Sequence, residues 1–490
     1  MNTSLTLLIP EIFLFCWAML VLVTDLFVPR QRPSIPAWLT LLGLAITAIL
    51  LVAFQGGELW RGMYSSDPYA FFFKIIFLGA AFLAVGSSFG TVEKMTHHHG
   101  EYFTLIMLST VGMMFLASAR ELITLYIGLE LTTIPLFVLV AFSKSSRAST
   151  EAGLKYMIIG AVSSAVLLYG ISIIYGMTGS TFLYQVTYTL SALWLSYGPL
   201  GPAFSVALIM IIAGLAFKLA LVPFHMWAPD VYEGSPTPVT AFLSVGSKAA
   251  GLAAFVRIFC GMFFAFASSV MAPRDWGIIV AVLAAVTMII GNIIAIRQTN
   301  IKRMLAYSSI AQAGYIMVGV VAVSTLGIAS ISFYIFSYLF ANMGAFAIVT
   351  IFAERTGSEQ LADYAGFSKS SPVLAALLSV FMLSLAGIPP LAGFLAKYYV
   401  FAAAVQAGYL WLVIIALLTA VISLYYYANV IRLMYFVPDA NPHHIVPSFP
   451  AGMVLTLTGI GVILLGLIPQ PIMQLALNAA SVFIFNTSSN

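Results

Sequence analysis

Gly214-Leu-Ala-Phe-Lys-Leu-Ala-Leu-Val-Pro-Phe-His-Met-Trp-Ala-Pro-Asp-Val-Tyr-Glu-Gly-Ser-Pro-Thr-Pro238 is the stretch that decides the fold. Its first part is apolar, and Lys218 stands inside that part. No charge occurs in residues 203–216 before the lysine, and the next charge after it is Asp230. A charge at the centre of a membrane helix costs roughly 2.5–3.5 kcal/mol on insertion scales. Pro223 breaks the helix within two turns, and broken backbone at membrane depth survives only inside protein or beside water. We therefore interpret Lys218 as part of an ion-handling site rather than as a snorkelling lysine.

The composition indicates a membrane protein. Of 490 residues, 62% are hydrophobic and only 7% are charged, against about 25% charged in a soluble domain. We predict an all-α polytopic membrane protein without a soluble domain for a nucleotide, flavin or iron–sulfur cluster. Cys16 and Cys260 are too few for a cluster or a zinc site, and we expect both in the core. No basic patch suggests nucleic-acid binding, and the apolar start predicts no cleaved leader.

Fourteen segments approach the length of about 20 apolar residues that a membrane-spanning helix needs. They are residues 5–28, 36–55, 68–90, 102–118, 121–142, 152–176, 203–223, 237–266, 275–296, 302–323, 326–352, 372–402, 408–436 and 452–470. The uncharged, aromatic and polar stretch 178–202 between the sixth and the seventh is predicted to lie at the membrane interface.

Loop lysines and arginines predict the orientation, because cytoplasmic loops carry an excess of them. Eleven belong to odd-numbered loops, counting one helix end: Arg30, Arg32, Lys94, Lys144, Arg147, Arg297, Lys302, Arg303, Arg355, Lys369 and Arg432. Four belong to even-numbered loops, again counting one helix end: Arg61, Arg120, Arg274 and Arg257. Odd loops are therefore predicted to be cytoplasmic, and both termini are predicted to lie outside.

A second broken span combines prolines with a lysine. It reads Ser384-Leu-Ala-Gly-Ile-Pro-Pro-Leu-Ala-Gly-Phe-Leu-Ala-Lys397, with Pro389-Pro390 before the lysine, whereas Lys218 precedes Pro223. Two interrupted helices in separated halves are typical of transporters built from repeats. The swapped order of proline and lysine favours an inverted repeat.

Four ionisable side chains are predicted near mid-membrane: Glu130, Lys218, Lys248 and Lys397. Glu130 follows Arg120 by ten residues, about 15 Å along a helix and so near the middle of a ~30 Å core. A Glu130–Lys218 pair would satisfy both charges, either as a static structural pair or as an element of a proton relay. Lys248 and Lys397 have no obvious carboxylate partner in the sequence. We expect Lys248 to be neutral for part of a working cycle.

Other polar residues allow two interpretations each. Lys155 near the start of its span either snorkels or joins a relay, and His225 after the break is a possible relay group reached through a water. Lys74, Glu11 and Asp25 lie near span ends and are predicted to be interfacial. His97-His98-His99 is predicted to be a solvated loop rather than a metal site. Several further side chains either line hydrated paths or hold helices together: Ser247, Asn292, Tyr307, Ser308 and Ser309.

Long motifs resemble one known family, the proton-translocating antiporter-like subunits of respiratory complex I. They are the run from Lys218 to Val239, Glu130 in the fifth span, Asn300-Ile-Lys-Arg-Met-Leu-Ala-Tyr-Ser-Ser-Ile-Ala-Gln-Ala-Gly-Tyr315, and Leu385-Ala-Gly-Ile-Pro-Pro-Leu-Ala-Gly-Phe394. The resemblance covers nearly the whole chain. Of three paralogous subunits, the Pro-Asp-Val-Tyr-Glu-Gly run and the Phe-Leu-Ala-Lys397 run resemble the N-type. The chain lacks the long lateral helix of the L-type, and the M-type carries a glutamate where Lys397 stands.

The resemblance implies a fold of two inverted five-helix repeats. These would be residues 101–267 and 275–437, preceded by helices in 1–100 and followed by a helix and tail in 438–490. It also implies that Glu130 and Lys218 form a modulating pair, with Lys248 as central relay and Lys397 as terminal lysine. No redox cofactor is expected in this chain; NADH, FMN, iron–sulfur clusters and quinone would belong to partner subunits of the inner membrane. Those partners include an M-type antiporter-like subunit and small membrane subunits, with lipid on the remaining faces.

Three alternatives to a complex I subunit stay open from the sequence. A subunit of a multi-subunit sodium/proton antiporter would share the fold. A relative in a photosynthetic complex would take its electrons from another donor. A passive assembly scaffold would use the buried charges only structurally.

Overall fold

Helices make up almost all of the fold. The computed structural model of the protein describes residues 5–27, 34–93, 98–267, 274–438 and 444–483. In those ranges the α-helices are α1 Ile9–Asp25, α2 Ser34–Ala53, α3 Pro68–Ser87, α4 Phe89–Glu93, α5 His99–Ser118, α6 Leu122–Val140, α7 Arg147–Thr178, α8 Leu183–Tyr197, α9 Pro202–Leu219, α10 Trp227–Gly234, α11 Thr237–Phe242, α12 Lys248–Ala267, α13 Arg274–Ala295, α14 Ile301–Val321, α15 Thr325–Thr356, α16 Phe367–Ser370, α17 Pro372–Ala386, α18 Ala392–Gln406, α19 Leu410–Phe436, α20 Phe449–Leu467 and α21 Gln470–Ala480.

The remaining elements are short. A π-helical turn, Leu243–Ser247, joins α11 to α12, and one small hairpin pairs β1 Glu58–Leu59 with β2 Tyr64–Ser65. The 3₁₀ turns are Leu5–Leu8, Trp60–Gly62, Leu361–Tyr364 and Ser481–Phe483.

The predicted membrane spans are confirmed as helices. Thirteen helices in the described ranges are long and apolar enough to cross a membrane. The remaining predicted span, 372–402, divides into the shorter α17 and α18. The stretch predicted to be interfacial forms α8, which is not among the thirteen and exposes Tyr188 and Tyr197.

The centre of the molecule is formed by the helix running from α11 through α12, together with α14 and α15. These are buried almost all round by the rest of the chain, whereas α1, α7 and α19 keep a wide exposed apolar face. Cys16 on α1 is exposed, so the expectation that both cysteines lie in the core is wrong for this one; Cys260 on α12 is buried. In a membrane-spanning helix, an exposed apolar face like those of α1, α7 and α19 meets lipid or a partner subunit rather than water.

The two halves of the chain repeat the same local constructions. The helices α7 and α15 each have 32 residues, begin after a serine cap (Ser146 and Ser324) and end at a left-handed glycine (Gly179 and Gly357). The isolated bridges Glu121–Phe182 and Asn300–Gln360 hold the start of α6 and of α14. The repeat of residues 101–267 and 275–437 and its inversion both stay predictions.

Both broken helices end in the same way. The amide of Leu221 donates to the carbonyl of Ala216 (2.9 Å), and that of Ile388 donates to Leu383 (3.0 Å). The residue before each donor, Ala220 or Gly387, is left-handed. This hydrogen-bond pattern closes a helix at its carboxyl end, and it places the interruptions where the prolines predicted them.

Candidate functional site

Three lysines are buried deep in the chain, on three different helices. Lys218 of α9, Lys248 of α12 and Lys397 of α18 are 1%, 4% and 5% exposed. In the described residues none of them forms an ion pair with a carboxylate; each donates only to hydroxyl or carbonyl oxygens. Removing an unpaired ammonium from water is costly, so these positions are unusual for structural lysines.

Lys218 lies one residue before the end of α9. Its ammonium donates to the hydroxyl of Thr133 on α6. Its side-chain stem lies against α12 at Gly251, where a β-carbon would come within 2.9 Å of the lysine Cγ. The break therefore points the lysine head toward α6, while its stem lies one turn along α12 from Lys248.

Glu130 occupies the middle of α6, three residues before Thr133. It accepts a hydrogen bond from Ser164 of α7 and is only half-buried within this chain. The expected direct pair between Glu130 and Lys218 is absent among the described ion pairs of this conformation, because each side chain bonds a hydroxyl group instead. The structure thus shows the two charges near each other on α6 and α9 but separated.

Lys248 directly follows the π-helical turn. Its ammonium donates to both the carbonyl (2.7 Å) and the hydroxyl (2.6 Å) of Ser309 on α14. The ring of Tyr232 lies 6.0 Å from the ammonium, at the outer limit of cation–π contact. Single π-turns inside helices often occur at functional sites.

The ammonium of Lys397 bonds to backbone carbonyls at the second break. It donates to the carbonyls of Leu385 (3.1 Å) and Ala386 (2.8 Å), the last residues of α17, and its ammonium lies 4.7 Å from the centre of the Tyr315 ring. Carbonyls at a helix end lack partners in their own helix and carry partial negative charge. The interruption of the helix therefore creates the acceptor site that holds this lysine.

Two small separate cavities lie beside Lys248 and Lys397. One is lined by Lys248, Ser309 and Gln312, the other by Gln312, Ser384 and Lys397, and each offers about 10 Å³, room for roughly one water molecule. Gln312 lies between them and donates to Leu385 O (2.9 Å). The glutamine is therefore a polar side chain that both cavities share.

Sequence reasoning missed most of this connecting set. The sequence predicts Ser309 only as one of several possible path residues, and it singles out none of Thr133, Ser164 and Gln312 for such a role. The available signal was a polar side chain inside an otherwise apolar span. That signal is weak, because hydroxyls and amides also hold membrane helices together.

The two possible relay residues lie elsewhere. Lys155, 41% exposed, pairs with Glu151 (2.7 Å) and Asp230 (2.9 Å) in an ion network that continues to Arg303. Burial raises the pKa of Asp230, but hydrogen bonds from Lys155 and Arg303 lower it below its usual value. His225 lies half-buried between the first break and α10, and its Nδ1 has no hydrogen-bond partner in the described residues.

The expectations about the first helices need correction. Lys74 and Glu11 were predicted to be interfacial, yet the structure buries both completely, 2.6 Å apart, with the Tyr64 hydroxyl bonded to each. The helix positions near the span ends were read correctly, but α1 and α3 pack so that these side chains face each other. Asp25 is partly buried, and His97 lies outside the described residues. His98 is exposed beside Glu101, but His99 is buried as the first residue of α5, so the predicted solvated loop is wrong for His99. No group of metal-binding side chains occurs in the part of the chain that the structure describes.

Comparisons with known proteins agree with the fold. The profile of the NADH:quinone oxidoreductase/Mrp antiporter transmembrane family matches residues 119–423. NADH-quinone oxidoreductase subunit N of Desulfitobacterium hafniense is 44% identical, with 98% of this chain and 99% of that protein covered. A chain of respiratory complex I from Thermus thermophilus is 32% identical, with a TM-score of 0.79 and coverage of 96% and 99%. A chain of the Mrp complex from Dietzia is 20% identical, with a TM-score of 0.82 and coverage of 99% and 98%, and shows the shared fold alone.

Proposed function

The chain belongs to the NADH:quinone oxidoreductase/Mrp antiporter transmembrane family, as an N-type membrane subunit of complex I, and on that premise we propose that Glu130, Lys218, Lys248 and Lys397 form its proton-translocating relay. The chain is a multi-pass membrane protein and part of an oxidoreductase complex, alongside other antiporter-like subunits.

One observation carries the assignment of the relay. Three lysines with at most 5% exposure hydrogen-bond only to neutral oxygens within the described residues, and two of them line cavities the size of a water that share Gln312. A buried lysine without a counter-ion favours losing its proton, so it exchanges protons more readily than an exposed lysine. A structural role would instead favour a paired lysine, and Lys74 beside Glu11 provides that contrast in the same chain.

The mechanism is electrostatic. When Glu130 approaches Lys218, the carboxylate stabilises the ammonium; when they separate, Lys218 tends to release its proton. A charge on Lys218 opposes a second charge on Lys248, since like charges in low dielectric repel strongly. Separation of the pair therefore favours transfer of the proton from Lys218 to Lys248. When the pair joins, Lys218 takes up a proton from the aqueous side, and its charge drives the proton on Lys248 past Gln312 toward Lys397.

Redox chemistry drives the cycle from other subunits. We assign no redox site to this chain, and NADH, FMN, iron–sulfur clusters and quinone belong to partner subunits. Partners also cover this chain: Glu130 is partly exposed at mid-helix, and Pro223 and Pro390 at the breaks are exposed. Neither a carboxylate nor interrupted backbone is stable against hydrocarbon. We place the protein in the bacterial inner membrane, with both termini on the outer side.

The alternatives are less well supported. The similarity to an Mrp antiporter chain is 20% identity, against 44% for the complex I subunit N of D. hafniense. A relative in a photosynthetic complex would differ in its electron donor. In our proposal no residue of this chain contacts an electron donor.

Proton pumping by the intact complex tests the relay. Lys218→Ala is introduced into the native membrane, and pumping is measured per electron transferred and per assembled complex. We expect assembly with strongly reduced pumping, whereas Lys369→Ala, the loss of an exposed lysine, leaves pumping unchanged. Wild-type pumping by Lys218→Ala complexes would show that the lysine is structural and that the relay runs elsewhere.

A further inference from the structure

We propose that a cavity beside the β1–β2 hairpin binds the phosphate group of an anionic membrane phospholipid. The cavity has a volume of about 1110 Å³ and lies between the hairpin turn, the end of α7, α8, α12 and the turn at Phe483. None of the four residues of the proposed relay lines this cavity. The inference therefore goes beyond the proposed function and stands independently of it.

The charge of the lining favours an anion. Within the described residues, three arginines line the cavity, Arg61, Arg120 and Arg257, against one carboxylate, Glu58. Arg120 pairs with Glu58 and with the buried Asp67 (3.1 Å), and Arg257 also pairs with Asp67 (2.7 Å). Arg61 is exposed and forms no ion pair with a carboxylate of the described side chains. These groups leave one positive charge uncompensated, and that charge lies on Arg61.

The hairpin turn holds Arg61 in an unfavourable backbone conformation. Trp60 and Arg61 have φ angles of 51° and 58°, in the left-handed region that residues other than glycine seldom adopt. Hairpin turns that need positive φ angles usually contain asparagine, aspartate or glycine instead. Because backbone strain of this kind is concentrated at functional sites, we assign a binding role to the Arg61 side chain. Tryptophan is enriched at the level of lipid headgroups, and Trp60 is exposed beside it.

The lining supplies the hydrogen-bond donors that a phosphate group requires. The planar guanidinium of an arginine donates two parallel hydrogen bonds to phosphate oxygens. Arg257 is only 2% exposed, and the rings of Tyr69 and Phe483 lie 4.8 and 5.7 Å from its guanidinium carbon. It is therefore a fixed donor in the wall of the cavity. The Tyr184 hydroxyl accepts a hydrogen bond from the Gln185 amide (2.9 Å) and keeps its own proton for donation to a ligand.

The surroundings of the cavity favour a lipid over a soluble anion. Thr178, the last residue of the membrane-spanning α7, lines the cavity, which places it at the level of a membrane surface. Below that residue, α7 exposes Leu168, Tyr169 and Tyr175. A phospholipid with its phosphate group in the cavity can lay its acyl chains along this face of α7, whereas a soluble anion would leave the face uncovered.

Photolabelling of the intact complex tests the site. The purified complex is incubated with phosphatidylglycerol that carries a photoreactive diazirine in one acyl chain, and mass spectrometry then quantifies the lipid attached to residues 168–191. We expect labelling of the wild type and about tenfold less in Arg61→Gln, because one charge-assisted contact is lost. Arg61→Lys keeps the charge and should be labelled more than Arg61→Gln. Arg432→Gln is the matched control, since it removes an exposed arginine of α19 outside the cavity.

The opposite outcomes overturn the proposal. Equal labelling of wild type and Arg61→Gln, at unchanged subunit content, would show that the arginine does not hold the headgroup. Equal labelling by phosphatidylcholine with the same diazirine would show that the cavity does not select an anionic lipid. Displacement of the label by millimolar inorganic phosphate would identify a soluble anion as the ligand. An unlabelled wild type, with a neighbouring subunit lost from Arg61→Gln complexes, would assign the cavity to an acidic segment of a partner.

Discussion

The side-chain stem of Lys218 lies directly on Gly251, with 2.9 Å from the lysine Cγ and 3.2 Å from its Cβ to the position that a β-carbon of residue 251 would occupy. These are the near atoms of the side chain, so they cannot move aside as the flexible end could. Gly251 is one helical turn from Lys248. The absence of a side chain at 251 therefore sets how closely the first relay lysine approaches the helix of the second.

Gly251→Ala should reduce coupled pumping, because the new methyl group pushes the lysine stem away from α12 or parts α9 from α12. The measurement is pumping per electron in assembled complexes. Gly261→Ala on the same helix is the control, since its β-carbon would lie no nearer than 3.8 Å to the Phe483 ring. Wild-type pumping by Gly251→Ala would mean that close packing at this point does not position the lysine.

Gln312→Leu should interrupt transfer between Lys248 and Lys397, because the glutamine lines both cavities and its amide bonds Leu385. Leucine has similar volume but offers no hydrogen bond to water or to the backbone. We expect the complex to assemble and electron transfer to become poorly coupled to pumping. Gln298→Leu, near the end of α13, removes a glutamine outside the path and should pump normally.

Lys155→Met should leave pumping per electron unchanged, because the structure places Lys155 in a partly exposed ion network rather than on the buried line. Exposed ion pairs contribute little, since solvent screens them. The same pumping assay checks this variant. A loss of pumping comparable to that of Lys218→Ala would return Lys155 to the relay, as the sequence first allowed.

The buried pair of Lys74 and Glu11 should show strong non-additivity. Lys74→Met alone leaves a carboxylate without its counter-ion, and breaking a buried pair costs about 3–5 kcal/mol. Glu11→Leu combined with Lys74→Met removes both charges and should restore most of the stability. Thermal unfolding of the purified complex measures the stability of wild type and of both variants. Equal losses of stability in the single and the double variant would show that the two charges do not act as an isolated pair.

Asp67 should make stability depend on acid. Burial raises the pKa of this carboxyl, but the charges and hydrogen bonds of Arg257, together with Arg120 and the Ala70 amide, lower it from 3.8 to about 2. A lowered pKa contributes stability that is fully present above 3.8 and is lost as the pH falls toward 2. The melting-temperature difference between wild type and Asp67→Asn should therefore shrink over that interval. A difference independent of pH would show that the charge of Asp67 is not what stabilises Arg257.

Much of the architecture followed from the sequence, because apolar length and proline determine spans and breaks almost independently of tertiary contacts. Pro223 and Pro389-Pro390 marked the interruptions, and the two segments between charged ends placed Lys218 and Lys397 in the buried interior. A lysine within an apolar run predicts its own burial from the neighbouring residues alone, without knowledge of tertiary contacts.

What the sequence did not reveal depends on rotation and packing of helices. Glu11 and Lys74 are 63 positions apart, and only the packing of α1 on α3 brings them into contact. The partners of the three buried lysines are hydroxyl groups and backbone carbonyls, and groups of both kinds are common in membrane helices. The separation of Glu130 from Lys218 is likewise a matter of side-chain conformation, which residue spacing does not determine.

The partly exposed position of Glu130 also has a consequence for biogenesis. A newly inserted copy that has not met its neighbour presents a carboxylate and interrupted backbone to the lipid, so the carboxylate proposed for the relay also marks the copy as unassembled. Cells that make this chain in excess of its partners should degrade the surplus, and the partly exposed Glu130 would then help to set the stoichiometry of the membrane arm.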